Sequence, residues 1–164
     1  MRLFIAIPLG EEMRAAVRAV QDDFRRGGVK GNYTPPENLH LTLVFIGEYP
    51  DPDAVLEVLD AVPFRPFELR LDGLGAFGDL WWLGLEDSPA LAACVRALRR
   101  GLANAGIPFD GKRFSPHITL VRRATTGGRP MPGVAVPRAG MTVDHIALMR
   151  SDRGRNGMIY TELR

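Results

Sequence analysis

One tetrapeptide is written twice in this chain, as His40-Leu41-Thr42-Leu43 and again as His117-Ile118-Thr119-Leu120, and no other feature restricts the fold as much. Each copy lies in a short apolar run, Leu39 to Ile46 and His117 to Arg122, of the length of a β-strand. Side chains at i and i+2 of a strand leave the same face, and those between them leave the other. His40 and Thr42 therefore share one face, with Leu41, Leu43 and Phe45 on the opposite one. His117 and Thr119 likewise share a face, backed by Ile118 and Leu120. The apolar sides anchor two strands in a core, and the polar sides face something else.

What precedes each motif repeats as well. Leu3 to Ile7 is an apolar run ended by Pro8, the length of a buried strand. Glu11 to Arg26 then carries Met13, Ala16, Val17, Val20 and Phe24 at helical spacing, and Gly27-Gly28 supplies the stop. Leu80 to Leu85 reads as another strand. Ser88-Pro89 opens a second long helix, with Leu91, Cys94, Leu98 and Leu102 on one stripe and Gly106 at its end. Strand, helix, histidine strand thus occurs at 3–46 and again at 80–122. A duplication of this kind predicts two lobes related by a pseudo-two-fold axis, with a cleft between the histidine strands.

The intervening segments read from local chemistry. Tyr33 to Pro36 is extended loop. Asp51-Pro52 is an N-cap with proline at N1, opening a helix through Val55, Leu59 and Val62. Phe67 to Leu71 alternates like a half-buried strand, and Gly73, Gly75 and Gly78 read as turn residues, too irregularly placed for a phosphate loop. Residues 124–140, with Pro130, Pro132 and Pro137 and no periodicity, form a loop. Val143 to Met149 and Met158 to Leu163 read as two closing strands joined by a polar turn, Ser151 to Gly157.

No linker or charge block divides the 164 residues, so residues 1–164 are expected to form a single domain of two lobes. The lone cysteine, Cys94, excludes an internal disulfide and a cysteine-cluster metal site, and its place on the stripe predicts a small core residue. No apolar run approaches the roughly 20 residues of a membrane span, and the start lacks a secretory leader pattern, which predicts a cytoplasmic protein with no membrane partner. A net charge of +2 permits an anionic ligand without demanding one.

Two imidazoles on facing strands can divide general acid–base work, because an unperturbed pKa of about 6.5 suits both duties. The threonine hydroxyls beside them can donate hydrogen bonds to an anion held between the strands, and a phosphate is the obvious candidate. Taken alone, each motif histidine reads more readily as a structural one. Two of them, each with a threonine two residues on, read as a site. His145 has no such partner and reads as packing, and metal ligation by the three histidines would need a ligand spacing the sequence does not contain. Of Trp81-Trp82, one is expected in the core while the other could stack on a base; Phe4 reads as core filling, with base contact as the alternative. Arg96, Arg99 and Arg100 read as a solvated helix face.

With their flanks, the motifs carry a family likeness. Tyr33-Thr34-Pro35-Pro36-Glu37-Asn38-Leu39 running into His40 to Gly47 resembles the first signature of the two-histidine phosphoesterases, and Phe114-Ser115-Pro116 running into His117 to Arg122 resembles the second. The Arg2 to Ile7 opening and Tyr160 are similar to the RNA 2′,3′-cyclic phosphodiesterase branch, also called 2′-5′ RNA ligases. Tyr33 stands where the first signature often has tryptophan.

The resemblance implies an α+β, bilobal, duplicated antiparallel-sheet fold around a central cleft that works without a metal; no cofactor is expected, and a monomer is. It implies hydrolysis of 2′,3′-cyclic phosphates on RNA ends or nucleosides to 2′-phosphates, with 2′-5′ ligation as the reverse. His117 is then assigned as base and His40 as acid, the opposite assignment staying open, with Thr42 and Thr119 on the non-bridging oxygens. Arg122 resembles the phosphate-holding arginine that follows the second motif, yet strict alternation puts it opposite His117. It reaches the cleft only if the strand bulges or ends there; Arg123 has the right parity and is the fallback. Two alternatives remain: cleavage of another phosphodiester, such as a 2′-5′ linkage or ADP-ribose cyclic phosphate, and an RNA-binding module without turnover. A matched acid and base argue against the module, since binding needs neither.

Overall fold

The apolar runs and helical stripes become nine strands and three α-helices in a computed structural model that describes residues 1–164. They are β1 (Arg2–Pro8), α1 (Glu11–Arg26), β2 (Lys30–Tyr33), β3 (His40–Glu48), α2 (Pro52–Ala61) and β4 (Phe67–Phe77), followed by β5 (Leu80–Leu85), α3 (Pro89–Asn104), β6 (Ile118–Thr125), β7 (Gly140–Val143), β8 (Ala147–Gly154) and β9 (Gly157–Glu162). The helices start where their caps dictate: the Asp51 carboxylate accepts from the Ala54 N–H, and the Ser88 hydroxyl accepts from the Leu91 N–H. Glu11 and Glu12 in the first turn of α1, with Arg25 and Arg26 in its last, complement the helix dipole.

Two antiparallel sheets result, one in the order β3-β1-β8-β9 and the other β2-β6-β5-β4-β7. Each histidine strand lies beside the strand that opens its own repeat, β3 on β1 and β6 on β5. The helices do not stay with those strands. Helix α1 leaves β1 but packs on the second sheet, where Phe24 meets Trp81 of β5 edge-on at 5.1 Å. Helix α3 leaves β5 but packs on β3 of the first sheet, and the segment after it donates the Asp110 N–H to the Phe45 carbonyl at 2.8 Å. The pseudo-two-fold axis therefore exchanges helices between the lobes, and one cluster of 32 buried residues runs through both.

Several elements depart from the sequence reading. Strand β2 lies at a sheet edge, so its mostly exposed residues carry no alternation. Gly73 and Gly75 lie inside β4, and only Gly78 sits in the turn to β5. The reason at Gly75 is the Trp82 indole, which a Cβ there would approach to 2.2 Å. The apolar run 143–149 conceals a crossing: β7 closes the second sheet at Val143, and β8 enters the first at Ala147. Residues 151–154, expected in a turn, pair with β9 in a hairpin that closes at Gly154 and Gly157. Cys94 is half-buried, because the α3 stripe runs through Val95 instead. No helix is long and apolar enough to cross a membrane.

Candidate active site

Both histidine strands break their alternation at the same place. On β3, Thr42 pairs with Ala6 while Val44 pairs with Ile5, leaving Leu43 as an extra residue. On β6, Thr119 pairs with Trp82 while Val121 pairs with Trp81, leaving Leu120 extra. At each bulge two consecutive residues, Leu43-Val44 and Leu120-Val121, turn into the core and are buried. The next side chain returns to the histidine's face. That residue is Phe45 on β3, correcting its expected core placement, and Arg122 on β6. Arg123 takes a left-handed backbone (φ 54°) and does not line the cleft, so the parity argument that favoured it fails.

A buried glutamine braces the second bulge. Gln21 of α1 donates one Nε2 hydrogen to the Leu120 carbonyl at 3.0 Å and the other to the Thr34 carbonyl at 2.9 Å. Thr34 completes the brace, its N–H reaching the Leu120 carbonyl and its hydroxyl the Thr119 carbonyl, each at 3.0 Å. Gln21 lies four residues from Val17 on the helix's buried face, a placement the sequence carried as a signal and the apolar count passed over.

The two motif faces open on one cleft of about 650 Å³, which His40, Thr42, His117, Thr119 and Arg122 all line. His40 Nδ1 lies 2.6 Å from the Asn38 carbonyl, and His117 Nδ1 lies 2.7 Å from the Ser115 carbonyl. A carbonyl only accepts, so each Nδ1 carries the hydrogen and each Nε2 is the nitrogen that exchanges a proton. His40 Nε2 then accepts from the Thr42 hydroxyl at 2.8 Å. Asn38 is itself held, its side-chain amide donating to the Met158 carbonyl at 2.9 Å.

Aromatic rings wall in both imidazoles. Phe4 and Tyr160 stand 5.0 and 5.2 Å from His40, while Phe77 and Trp82 stand 5.1 and 6.2 Å from His117. Phe4 thus lines the cleft rather than merely filling core, and Tyr160 joins it through β9. Burial lowers the His40 pKa below 6.5. The Asn38 hydrogen bond pulls it back up, and the charges of Arg122 and His117 lower it further. Arg122 and His117 line the same cleft as His40.

Other expected residues fall elsewhere. Trp81 faces the core against Phe24. His145 is exposed, bonded to Asp144 at 2.8 Å, and lies outside the cleft. No group of three or more His, Cys, Asp and Glu side chains is arranged to hold a metal ion.

Comparison with known proteins agrees with this architecture. The family model of the 2′-5′ RNA ligase superfamily matches residues 9–155. The chain is 36% identical over 186 residues to an RNA 2′,3′-cyclic phosphodiesterase of Thermus thermophilus, covering 99% of this chain and 88% of that one. It is 32% identical to the protein of that name from Thermotoga maritima, with 99% and 93% covered. Its fold superposes on E. coli LigT in complex with 3′-AMP with a TM-score of 0.81 at 29% identity, covering 99% and 94% of the two chains.

Proposed function

The chain belongs to the 2′-5′ RNA ligase superfamily, and we propose that it is an RNA 2′,3′-cyclic phosphodiesterase working by paired-histidine acid–base catalysis without a metal. The names of its relatives and the nucleotide bound by LigT support the substrate class. The observation that carries the mechanism is the convergence of two His-x-Thr faces, one from each lobe, on a single cleft with Arg122 beside them.

In hydrolysis, water attacks the phosphorus and the bond from phosphorus to the ribose 3′-oxygen breaks, leaving a 2′-phosphate and a 3′-hydroxyl. His117 Nε2 takes the proton from water, and His40 Nε2 gives one to the departing oxygen. Burial and the Arg122 charge make a protonated His40 a ready donor. The substrate's negative charge offsets both effects and restores its proton. Thr42, Thr119 and Arg122 hold the non-bridging oxygens as charge builds in the transition state. Ligation runs the same steps backward with the two duties exchanged. One chain supplies every residue named, so a monomer suffices.

Turnover of nucleoside 2′,3′-cyclic monophosphates in chelator tests this reading. His40→Ala and His117→Ala should each reduce kcat by about 10²–10⁴-fold while keeping the native circular dichroism. Near-normal activity in either variant would overturn the paired-histidine mechanism.

A further inference from the structure

The steps above use Arg122 and leave the far end of the cleft without a task. There the β3 bulge brings Phe45 to the position that the β6 bulge gives Arg122, so the first lobe presents a ring where the second presents a cation. The cation comes from the next strand. Arg2 of β1 lays its guanidinium over the Phe45 ring, 4.9 Å from the centroid. A guanidinium held over a ring by cation–π attraction can still turn N–H groups toward an acceptor.

Arg153 of β8 lines the same cleft, and neither arginine is paired with a carboxylate. The acids nearby are already engaged: Glu48 with the N-terminal ammonium at 3.2 Å, Asp152 with Arg150 at 2.9 Å. Phe45 lies three residues beyond Thr42, roughly 7–10 Å along a bulged strand. One free guanidinium held over the ring at that remove from Thr42, with a second lining the same cleft, suits a second anionic group on the same ligand.

We propose that Arg2, held by Phe45 and assisted by Arg153, forms a subsite for the phosphate on the 5′-oxygen of the terminal nucleotide. In RNA that phosphate is the last phosphodiester of the chain, so the cleft favours an oligonucleotide end over a free nucleoside cyclic phosphate. The subsite rests on the substrate class proposed above.

The test is a binding cycle on a dinucleotide ending in a 2′-phosphate, a ligand that requires no turnover. Its linkage is either the natural phosphodiester or an uncharged methylphosphonate. The neutral linkage should weaken binding to the wild type by about tenfold or more, and to Arg2→Met by less than about twofold. Arg153→Met should show a partial loss of the same coupling. Equal losses in wild type and Arg2→Met, or no loss in wild type, would overturn the subsite. A nucleoside 2′,5′-bisphosphate should bind within about threefold of the dinucleotide, whereas a gain that needs the second nucleoside would also overturn it. A protein that shows the coupling yet leaves 2′,3′-cyclic phosphates intact would support the subsite and refute the reaction.

Discussion

In the proposed hydrolysis His40 gives up a proton, so it has first to hold one, and it sits where holding one is unfavourable. Burial between Phe4 and Tyr160 disfavours the imidazolium, and Arg122 and His117 add like charge. Only the Asn38 carbonyl works the other way. The free protein should therefore show an NMR titration midpoint for His40 below 6.5. Arg122→Met should raise it, and so should saturation with a nucleoside 2′-phosphate, because an anion favours the charged ring. A midpoint above 6.5, or one indifferent to Arg122, would contradict this account of the site. The sign for stability follows from the same shift. Above pH 6.5 the residue is neutral both folded and unfolded, and it has no effect. As pH falls below 6.5 the unfolded chain takes up a proton that the native state resists, so this site costs stability down to the folded midpoint.

Elements whose signals are local were legible in the sequence. The caps at Asp51 and Ser88, the stripe of α1 and the two His-x-Thr faces all follow from neighbours within a few residues. The bulges were less legible, because a bulge is a relation between two strands. Only the doubled Leu-Val after each threonine hinted at it, and strict alternation misplaced Phe45 and left Arg122 conditional. Gly73 and Gly75 misled for a similar reason, since the need for Gly75 lies across the sheet in Trp82. Gln21 shows how a distant element secures the bulge. Gln21→Leu keeps the shape but removes both donors, leaving the Thr34 carbonyl unpaired and the Leu120 carbonyl with only the Thr34 N–H. At about 1 kcal/mol per lost bond, urea denaturation should register a loss on the order of 2 kcal/mol. A neutral substitution would mean that β6 holds its bulge unaided.

At the scale of the molecule, the exchange of helices decides how the cleft keeps its width. If each helix covered its own sheet, the lobes would meet only along the cleft and could separate. Here α1 joins β1 to the second sheet through Phe24, and α3 joins β5 to the first through β3, so parting the lobes exposes both helix faces. The lobes should unfold together. Both tryptophans lie on β5 and report on the second lobe, while the His40 ring reports on the first by NMR. Phe24→Ala should cost about 3–5 kcal/mol and Leu98→Ala, on α3, about 2–5 kcal/mol, as buried truncations do. In the wild type and in each variant, the tryptophan fluorescence and His40 signals should give one urea midpoint. If Phe24→Ala lowered the tryptophan midpoint and left that of His40 in place, each lobe would be holding its half of the site alone. The fixed spacing of the two imidazoles would then need a cause other than the crossed helices.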